Sequence, residues 1–169
     1  MDDEFWIPQR ELEIIRALNL VHARYLVFGG YAVLYYGFRD RRVNDLDIWV
    51  SNDEMNASKV FEAFKKHIES EPCFTTKQLT EPRKKIDLYK SHYDVELFTS
   101  VGELLFDDAY SRKKDIVHAG ENVPIISIQD LLTIKQCSAK ECEHRLQKEL
   151  KDIEFLKKVK HNPAMQQDA

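Results

Sequence analysis

Two aspartates separated by one residue are the first indication of chemistry in this sequence. Asp45 and Asp47 stand in a segment, residues 45–50, whose alternation of polar and apolar residues predicts a β-strand. Side chains two apart on a strand point to the same face, so the two carboxylates would lie close enough to repel each other. Carboxylate oxygens at that density suit Mg²⁺, which prefers carboxylates together with substrate phosphates. A strand edge with two solvated aspartates is the alternative for this motif alone.

A pair of glycines precedes the aspartates. Gly29 and Gly30 follow a short apolar strand, residues 25–28, and stand before a predicted helix over residues 31–36. Glycines in that place let backbone N–H groups approach a phosphate closely, and the helix N-terminus favours an anion. A tight turn from strand to helix is the alternative. The spacing excludes the GxGxxG dinucleotide fingerprint, and no Gly-Lys-Ser/Thr of a P-loop is present.

The segment between the glycines and the aspartates is a polar loop that contains Arg39, Arg41 and Arg42. The glycine pair, the arginine-rich loop and the aspartate pair fall within one short stretch of chain. Nucleoside-triphosphate chemistry with two metal ions needs all three: phosphate neutralisation, metal bridging and in-line positioning of the reacting groups. The combination therefore indicates nucleoside-triphosphate chemistry much more specifically than any one of the three motifs does.

The elements that would position these residues are predicted from hydrophobic periodicity and capping signals. Their order, helix, strand, helix, strand, helix, two strands and then helices, predicts an α+β or mixed α/β fold. Beyond the stretch already described, we expect a helix at 8–23, a helix capped by Asn52 or Asp53, a loop at 71–82, strands at 84–89 and 93–98, a short helix and a strand within 103–123, and helices at 127–139 and 141–160. The last helix is predicted to bury Leu146, Leu150, Ile153 and Leu156 and to expose a Lys/Glu-rich face.

The length of 169 residues predicts one domain, with a core at about 24–126 and C-terminal helices at about 127–160. With 25 Lys+Arg against 29 Asp+Glu, the net charge of −4 argues against a nucleic-acid binder held by bulk positive charge. No apolar run approaches the roughly 18 residues of a membrane span. The acidic N-terminus, Met1 to Glu4, and three cysteines predict a cytoplasmic protein with no membrane partner.

The stretch from Gly29 to Ile48 resembles the signature of the nucleotidyltransferase (polymerase-β-like) superfamily. The residues that carry the resemblance are Gly29-Gly30-Tyr31-Ala32, Gly37, Arg41 and Asp45-Leu46-Asp47-Ile48. More narrowly, the sequence is similar to small minimal nucleotidyltransferases of the AbiEii toxin type. That similarity continues at residues 95–99, 106–110, 127–135 and 151–156, so it covers about residues 24–158.

The resemblance implies that Asp45 and Asp47 bind Mg²⁺, in two ions, and that a third carboxylate on an adjacent strand completes the metal site. Glu96 stands at the family's position relative to the threonine and the Phe-Asp-x-Ala segment that follow. Asp94 is the second candidate because it is expected on the same strand face. Asp87, on the neighbouring strand, is the third. The family more often has aspartate at this place, and glutamate serves Mg²⁺ equally.

The resemblance also implies that Gly29, Gly30, Arg41 and Lys135 position the triphosphate. Two departures bear on these assignments. Val43 occupies a place where the family usually has threonine, and Arg39 and Arg42 stand beside Arg41 in a loop one residue longer than usual. Lys135 is expected to reach the triphosphate by resemblance, whereas its spacing alone is equally typical of a surface lysine on an amphipathic helix.

The implied activity is transfer of a nucleoside monophosphate from an NTP to a hydroxyl, with release of pyrophosphate. A small molecule, a tRNA and a protein are all open as acceptors, and the sequence fixes neither the base nor the oligomeric state. Two alternatives stay open beside this one. In the first, the protein is a toxin that an antitoxin protein neutralises. In the second, it is a nucleotide- or partner-binding module of the same fold that has lost turnover.

Overall fold

A six-stranded mixed β-sheet lies at the centre of the fold. The computed structural model describes residues 7–141 and 143–162. The strands are β1 (Tyr25–Phe28), β2 (Leu46–Val50), β3 (Lys85–Asp87), β4 (Val95–Phe98), β5 (Lys114–His118) and β6 (Glu121–Ile125). Their order across the sheet is β3-β4-β2-β1-β6-β5. The pairs β2–β4 and β1–β6 are parallel, and the other neighbours are antiparallel.

Seven α-helices within the described residues flank this sheet. They are α1 (Gln9–Leu20), α2 (Gly29–Tyr35), α3 (Glu54–His67), α4 (Thr76–Thr80), α5 (Phe106–Ser111), α6 (Ile128–Glu141) and α7 (Leu146–His161). Helices α6 and α7 pack against each other at the C-terminal side. Asp53 caps α3 by accepting from the Asn56 N–H, and Ser127 caps α6 by accepting from the Asp130 N–H. The predicted mixed α/β fold with C-terminal helices is confirmed.

The core is built from apolar runs that the sheet buries on both faces. All four residues of β1 are buried, and so are Leu46, Ile48, Trp49 and Val50 of β2. The two central strands are thus short and almost wholly apolar, as expected for strands covered by helices. Each fully buried Leu or Ile side chain stabilises the fold by about 1.5–3 kcal/mol. Asp47 is the polar exception in β2, so its position in the strand has to be explained by something other than packing.

The sequence missed two elements of this fold. Residues 71–82, predicted as a loop, contain α4, which begins with a capping box between Thr75 and Gln78. The region at 103–123 holds two strands rather than one. They form the hairpin β5–β6, in which Ala119 and Gly120 both have positive φ, of 50° and 81°. An alanine in the left-handed region is uncommon, so the residue types alone do not predict this turn.

The buried face of α7 also differs from the predicted one. Leu150 is 46% exposed, although apolar spacing placed it in the core. Glu149 and Asp152 are buried instead, together with Ile153, Leu156 and Val159. Two carboxylates therefore occupy a helix face that periodicity assigned to leucine, and their partners lie at the candidate site described below.

Within the described residues, none of the helices has the length and apolar character needed to cross a lipid bilayer. The acidic N-terminus, Met1 to Glu4, lies outside the described residues, as does Cys142, one of the three cysteines. The cytoplasmic location therefore stays a prediction.

Candidate active site

Three carboxylates meet on the neighbouring parallel strands β2 and β4. Asp47 lies in β2 opposite Glu96 of β4, and Asp45 directly precedes β2. Residues opposite each other in neighbouring strands project to the same face, and so do residues two apart on one strand. The ligand oxygens of Asp45, Asp47 and Glu96 all lie within 4.8 Å of one another. The strand register therefore brings together residues that are far apart in sequence.

Gly29 explains how the Asp47 carboxylate fits into the sheet. β1 runs antiparallel to β2 with Phe28 opposite Asp47, and Gly29 follows at once as the first residue of α2. Its φ is +65°, and a Cβ built on it would lie 1.9 Å from Oδ2 of Asp47. Any side chain at this position would displace the carboxylate, in addition to straining the backbone.

The second glycine of the pair has a different neighbour. A Cβ on Gly30 would lie 3.0 Å from both methyl carbons of Val43, the residue that stands where the family usually has threonine. Gly29 and Gly30 are also the first residues of α2, rather than a turn that precedes a helix at residue 31. The predicted contact of these glycines with a phosphate stays a prediction.

The three carboxylates repel one another. Burial and, after it, the charges of Asp45 and Glu96 together raise the pKa of Asp47 from 3.8 to about 7, while Lys135 opposes the shift. Burial also raises the pKa of Glu96, against the hydrogen bond from Lys85 and together with the charge of Asp45. A half-buried cluster of acids with raised pKa values has an excess of negative charge, and a cation would stabilise it.

The other two candidates for the third carboxylate are not members of this cluster, although Asp87 contacts Glu96 and helps to raise its pKa. Asp87 stands opposite Glu96 on β3, but it is exposed and pairs with Lys85 at 3.6 Å. Asp94 precedes β4, outside the strand, and is exposed. In the part of the chain that the structure describes, one group of three or more acidic, histidine or cysteine side chains could share an ion, and it contains neither residue.

Two residues that the sequence did not single out contact the carboxylates. The Nζ of Lys85 lies 2.6 Å from Oε1 of Glu96, and the Tyr89 hydroxyl donates to Oδ2 of Asp45 at 3.1 Å. The period of two in β3 could have indicated Lys85, because it shares a face with Asp87, the partner of Glu96 in the register.

The predicted phosphate-binding cations form a second cluster beside the first. Nε and Nη2 of Arg41 lie 2.8 and 3.2 Å from the two carboxylate oxygens of Asp152. Nζ of Lys135 lies 2.9 Å from Asp152 and 3.0 Å from Glu149. The side chains of Arg41 and Lys135 are only 9% and 7% exposed, and that of Asp152 is fully buried. The carboxylates that α7 buries are therefore the partners of the two cations.

Comparison with known proteins supports the fold. No protein-family model matches the chain, and no curated protein matches it either. Among solved structures, the chain is similar to an antigenic nucleotidyltransferase-like protein from Paracoccidioides brasiliensis, with a TM-score of 0.59 and 16% identity. The match covers 92% of this chain and 76% of that one. The chain thus has a nucleotidyltransferase-like fold, and the AbiEii-type subgroup stays a prediction of the sequence.

Proposed function

We propose that the protein is a Mg²⁺-dependent nucleotidyltransferase that moves a nucleoside monophosphate from an NTP to a hydroxyl acceptor. The observation that carries this proposal is the carboxylate cluster of Asp45, Asp47 and Glu96, with its oxygens within 4.8 Å of one another. It lies on the central strands of a nucleotidyltransferase-like fold, where the strand register fixes the position of Asp47 and Glu96. A fold alone does not define a reaction, so the site carries the argument.

The donor set fits the proposed metal. All the converging ligand atoms are carboxylate oxygens, which hard cations such as Mg²⁺ prefer over nitrogen or sulfur. The charges of Asp45 and Glu96 add to the effect of burial on the pKa of Asp47, so a cation among the three carboxylates would relieve their repulsion. Asp45, Asp47 and Glu96 would hold the metal. When bound, two Mg²⁺ ions would supply charge neutralisation to the triphosphate and to the leaving pyrophosphate.

The protein's own residues would divide the remaining work. The acceptor oxygen attacks the α-phosphorus, the bond to the β-phosphate breaks, and pyrophosphate leaves. Glu96 would take the acceptor's proton, because its pKa is raised and it belongs to the cluster. Gly29 and Gly30 open α2 beside Asp47 and would present backbone N–H groups to the phosphates. Lys135 and Arg41 would complete the phosphate side of the site.

The test is transfer of label from α-labelled NTPs to small-molecule, RNA and protein acceptors in Mg²⁺, together with release of pyrophosphate. We expect Asp45→Asn, Asp47→Asn and Glu96→Gln each to lower the transfer rate by about a hundredfold or more. Asp94→Asn is the matched control, because this carboxylate is exposed and outside the cluster. It should keep most of the activity.

The variants also separate the alternatives. Loss of transfer in Asp94→Asn with retention in Glu96→Gln would reverse the assignment of the third carboxylate. Mg²⁺-dependent NTP binding without any transfer would favour the binding module that has lost turnover. Absence of both transfer and NTP binding from the wild-type protein would overturn the proposal. A toxin would be indicated by growth arrest on expression that Asp47→Asn relieves.

A further inference from the structure

The two cations predicted to bind the triphosphate are already paired with carboxylates of the protein. Arg41 and Lys135 are the basic residues that the resemblance assigns to the triphosphate, and both are paired to carboxylates of α7. Asp152 contacts both cations and Glu149 contacts Lys135, so two positive charges face two negative ones. A triphosphate with several negative charges gains little from a neutral cluster. Besides the bound metal, a further cation of the protein would strengthen its binding here.

Lys148 is a cation on the same helix that lies beside this cluster. It stands four residues before Asp152 and directly before Glu149, and side chains four apart on a helix share a face. Its side chain is exposed, whereas Glu149 and Asp152 are buried. No carboxylate among residues 7–141 and 143–162 forms an ion pair with Lys148, so its ammonium group is available to a ligand.

The electrostatic surroundings of Lys148 are those of an anion site. Partial burial lowers its pKa, and the positive charges of Arg41, Lys135 and Arg145 lower it further, against the charge of Asp152. Arg145 is exposed and stands three residues before Lys148, at the residue that precedes α7. Four cations therefore share a region with two carboxylates, and an anionic ligand would relieve their mutual repulsion.

We propose that Lys148 binds the terminal phosphates of the nucleoside triphosphate, next to Lys135. This inference rests on the proposed function and adds a residue that the resemblance does not assign. Lys135 is close enough to Asp47 to oppose its pKa shift, and it is also a neighbour of Lys148. Lys135 therefore has the carboxylate cluster and Lys148 among its neighbours, and its partner Glu149 directly follows Lys148 in α7. A ligand that reaches both the carboxylate cluster and Lys148 must carry a metal-binding phosphate and further phosphates beyond it.

The experiment is calorimetry on the full chain with three probes. They are non-hydrolysable analogues of the four NTPs with Mg²⁺, the corresponding nucleoside monophosphates with Mg²⁺, and inorganic tripolyphosphate without metal. The variants are Lys148→Gln, the conservative Lys148→Arg, and the control Lys157→Gln. Lys157 is an exposed lysine of α7, two and a half turns further on and hence on the opposite face. Each Gln variant removes one charge from the same helix.

We expect Lys148→Gln to weaken binding of the NTP analogues and of tripolyphosphate about tenfold, the effect of losing one charge-assisted contact. Binding of the monophosphates should change less than about twofold, and Lys148→Arg should retain most of the triphosphate affinity. Lys157→Gln should leave all three probes within about twofold. If tripolyphosphate binds but no nucleotide does, the site is one for free polyphosphate, and the assignment to a nucleotide is overturned.

Two other outcomes would overturn the inference, and they differ from failure of the proposed function. Equal weakening by Lys148→Gln and Lys157→Gln would show a general charge effect of α7. Equal weakening of monophosphate and triphosphate binding by Lys148→Gln would show that Lys148 acts elsewhere than on the terminal phosphates. In both cases the wild-type protein still binds NTP and the proposed function stands. A wild-type protein that binds none of the probes would remove both.

Discussion

The acidic and the basic clusters of the site are built in opposite ways. Asp45, Asp47 and Glu96 gather on neighbouring strands with little positive charge to balance them, and the pKa of Asp47 rises to about 7. Arg41 and Lys135 are held by a loop and a helix, and each is paired with a buried carboxylate of α7. One cluster is balanced within the fold and the other is not.

This difference separates charges that neutralise one another within the fold from charges that repel one another. A buried ion pair loses much of its attraction to the cost of desolvation, but removal of one partner leaves an uncompensated charge. A cluster of like charges behaves in the reverse manner, because removal of one member relieves repulsion. Substitution of a carboxylate should therefore have opposite effects on stability in the two clusters.

The largest effect is expected at the balanced cluster. Asp152→Ala removes the carboxylate partner of Arg41 and one of the two carboxylate partners of Lys135. Because both cations are almost fully buried, we expect a loss of about 3–5 kcal/mol in the free energy of unfolding. Urea titration measures it. Glu154→Ala on the same helix is the control, because Glu154 is an exposed carboxylate that pairs with Lys158, and little change is expected. Similar losses in the two variants would contradict the buried pairing.

The next effect concerns the tight packing of the acidic cluster. Gly29→Ala combines a strained φ of +65° with a Cβ that would lie 1.9 Å from the Asp47 carboxylate, and we expect a loss of about 3 kcal/mol. Gly102→Ala is a matched control, since its φ of +55° carries similar strain while its surroundings are open. Its loss should be about 1–2 kcal/mol. Calorimetry with Mn²⁺ should show weakened metal binding in Gly29→Ala alone.

The smallest effect has the opposite sign and depends on pH. Because the pKa of Asp47 rises from 3.8 to about 7 on folding, the folded protein keeps a proton that the unfolded chain releases in that interval. Without divalent cations, stability should therefore fall by about 2 kcal/mol between about pH 5 and pH 8 and level off above. Urea titrations in EDTA measure this decline.

Asp47→Asn should remove most of that decline and be more stable than the wild-type protein at about pH 8. Asp87→Asn, on exposed β3, serves as its control and should keep the decline. Mn²⁺ should stabilise the wild-type protein more than Asp47→Asn. A wild-type protein whose stability rises over the same pH interval would show that Asp47 is not held protonated by its neighbours.

The residues of the carboxylate cluster could be predicted from the sequence. A period of two placed Asp45 and Asp47 on one face, and the resemblance ranked Glu96 above Asp94 and Asp87. These predictions depend only on the alternation of side chains along one strand and on the strand that lies beside it. The three carboxylates that the structure brings together are the three named first. Their roles in metal binding and catalysis stay predictions.

The burial of the α7 carboxylates could not be predicted from the sequence. Apolar spacing assigned Leu150 to the core of α7, whereas Glu149 and Asp152 take the buried positions. Hydrophobic periodicity counts every carboxylate as polar and therefore assigns it to the exposed face of a helix. The predicted buried face of α7 is thus turned away from the cations that pair with Glu149 and Asp152. Only the three-dimensional positions of Arg41 and Lys135 indicate which face of α7 is turned inward.

The contact between Arg41 and Asp152 spans 111 residues of the chain. Such a distant contact closes a long loop, and its entropic cost must be met before the contact stabilises anything. During synthesis, β2 and β4 are made before α7. The basic cluster is thus the last part of the site to be assembled, because its carboxylate partners belong to the C-terminal helix.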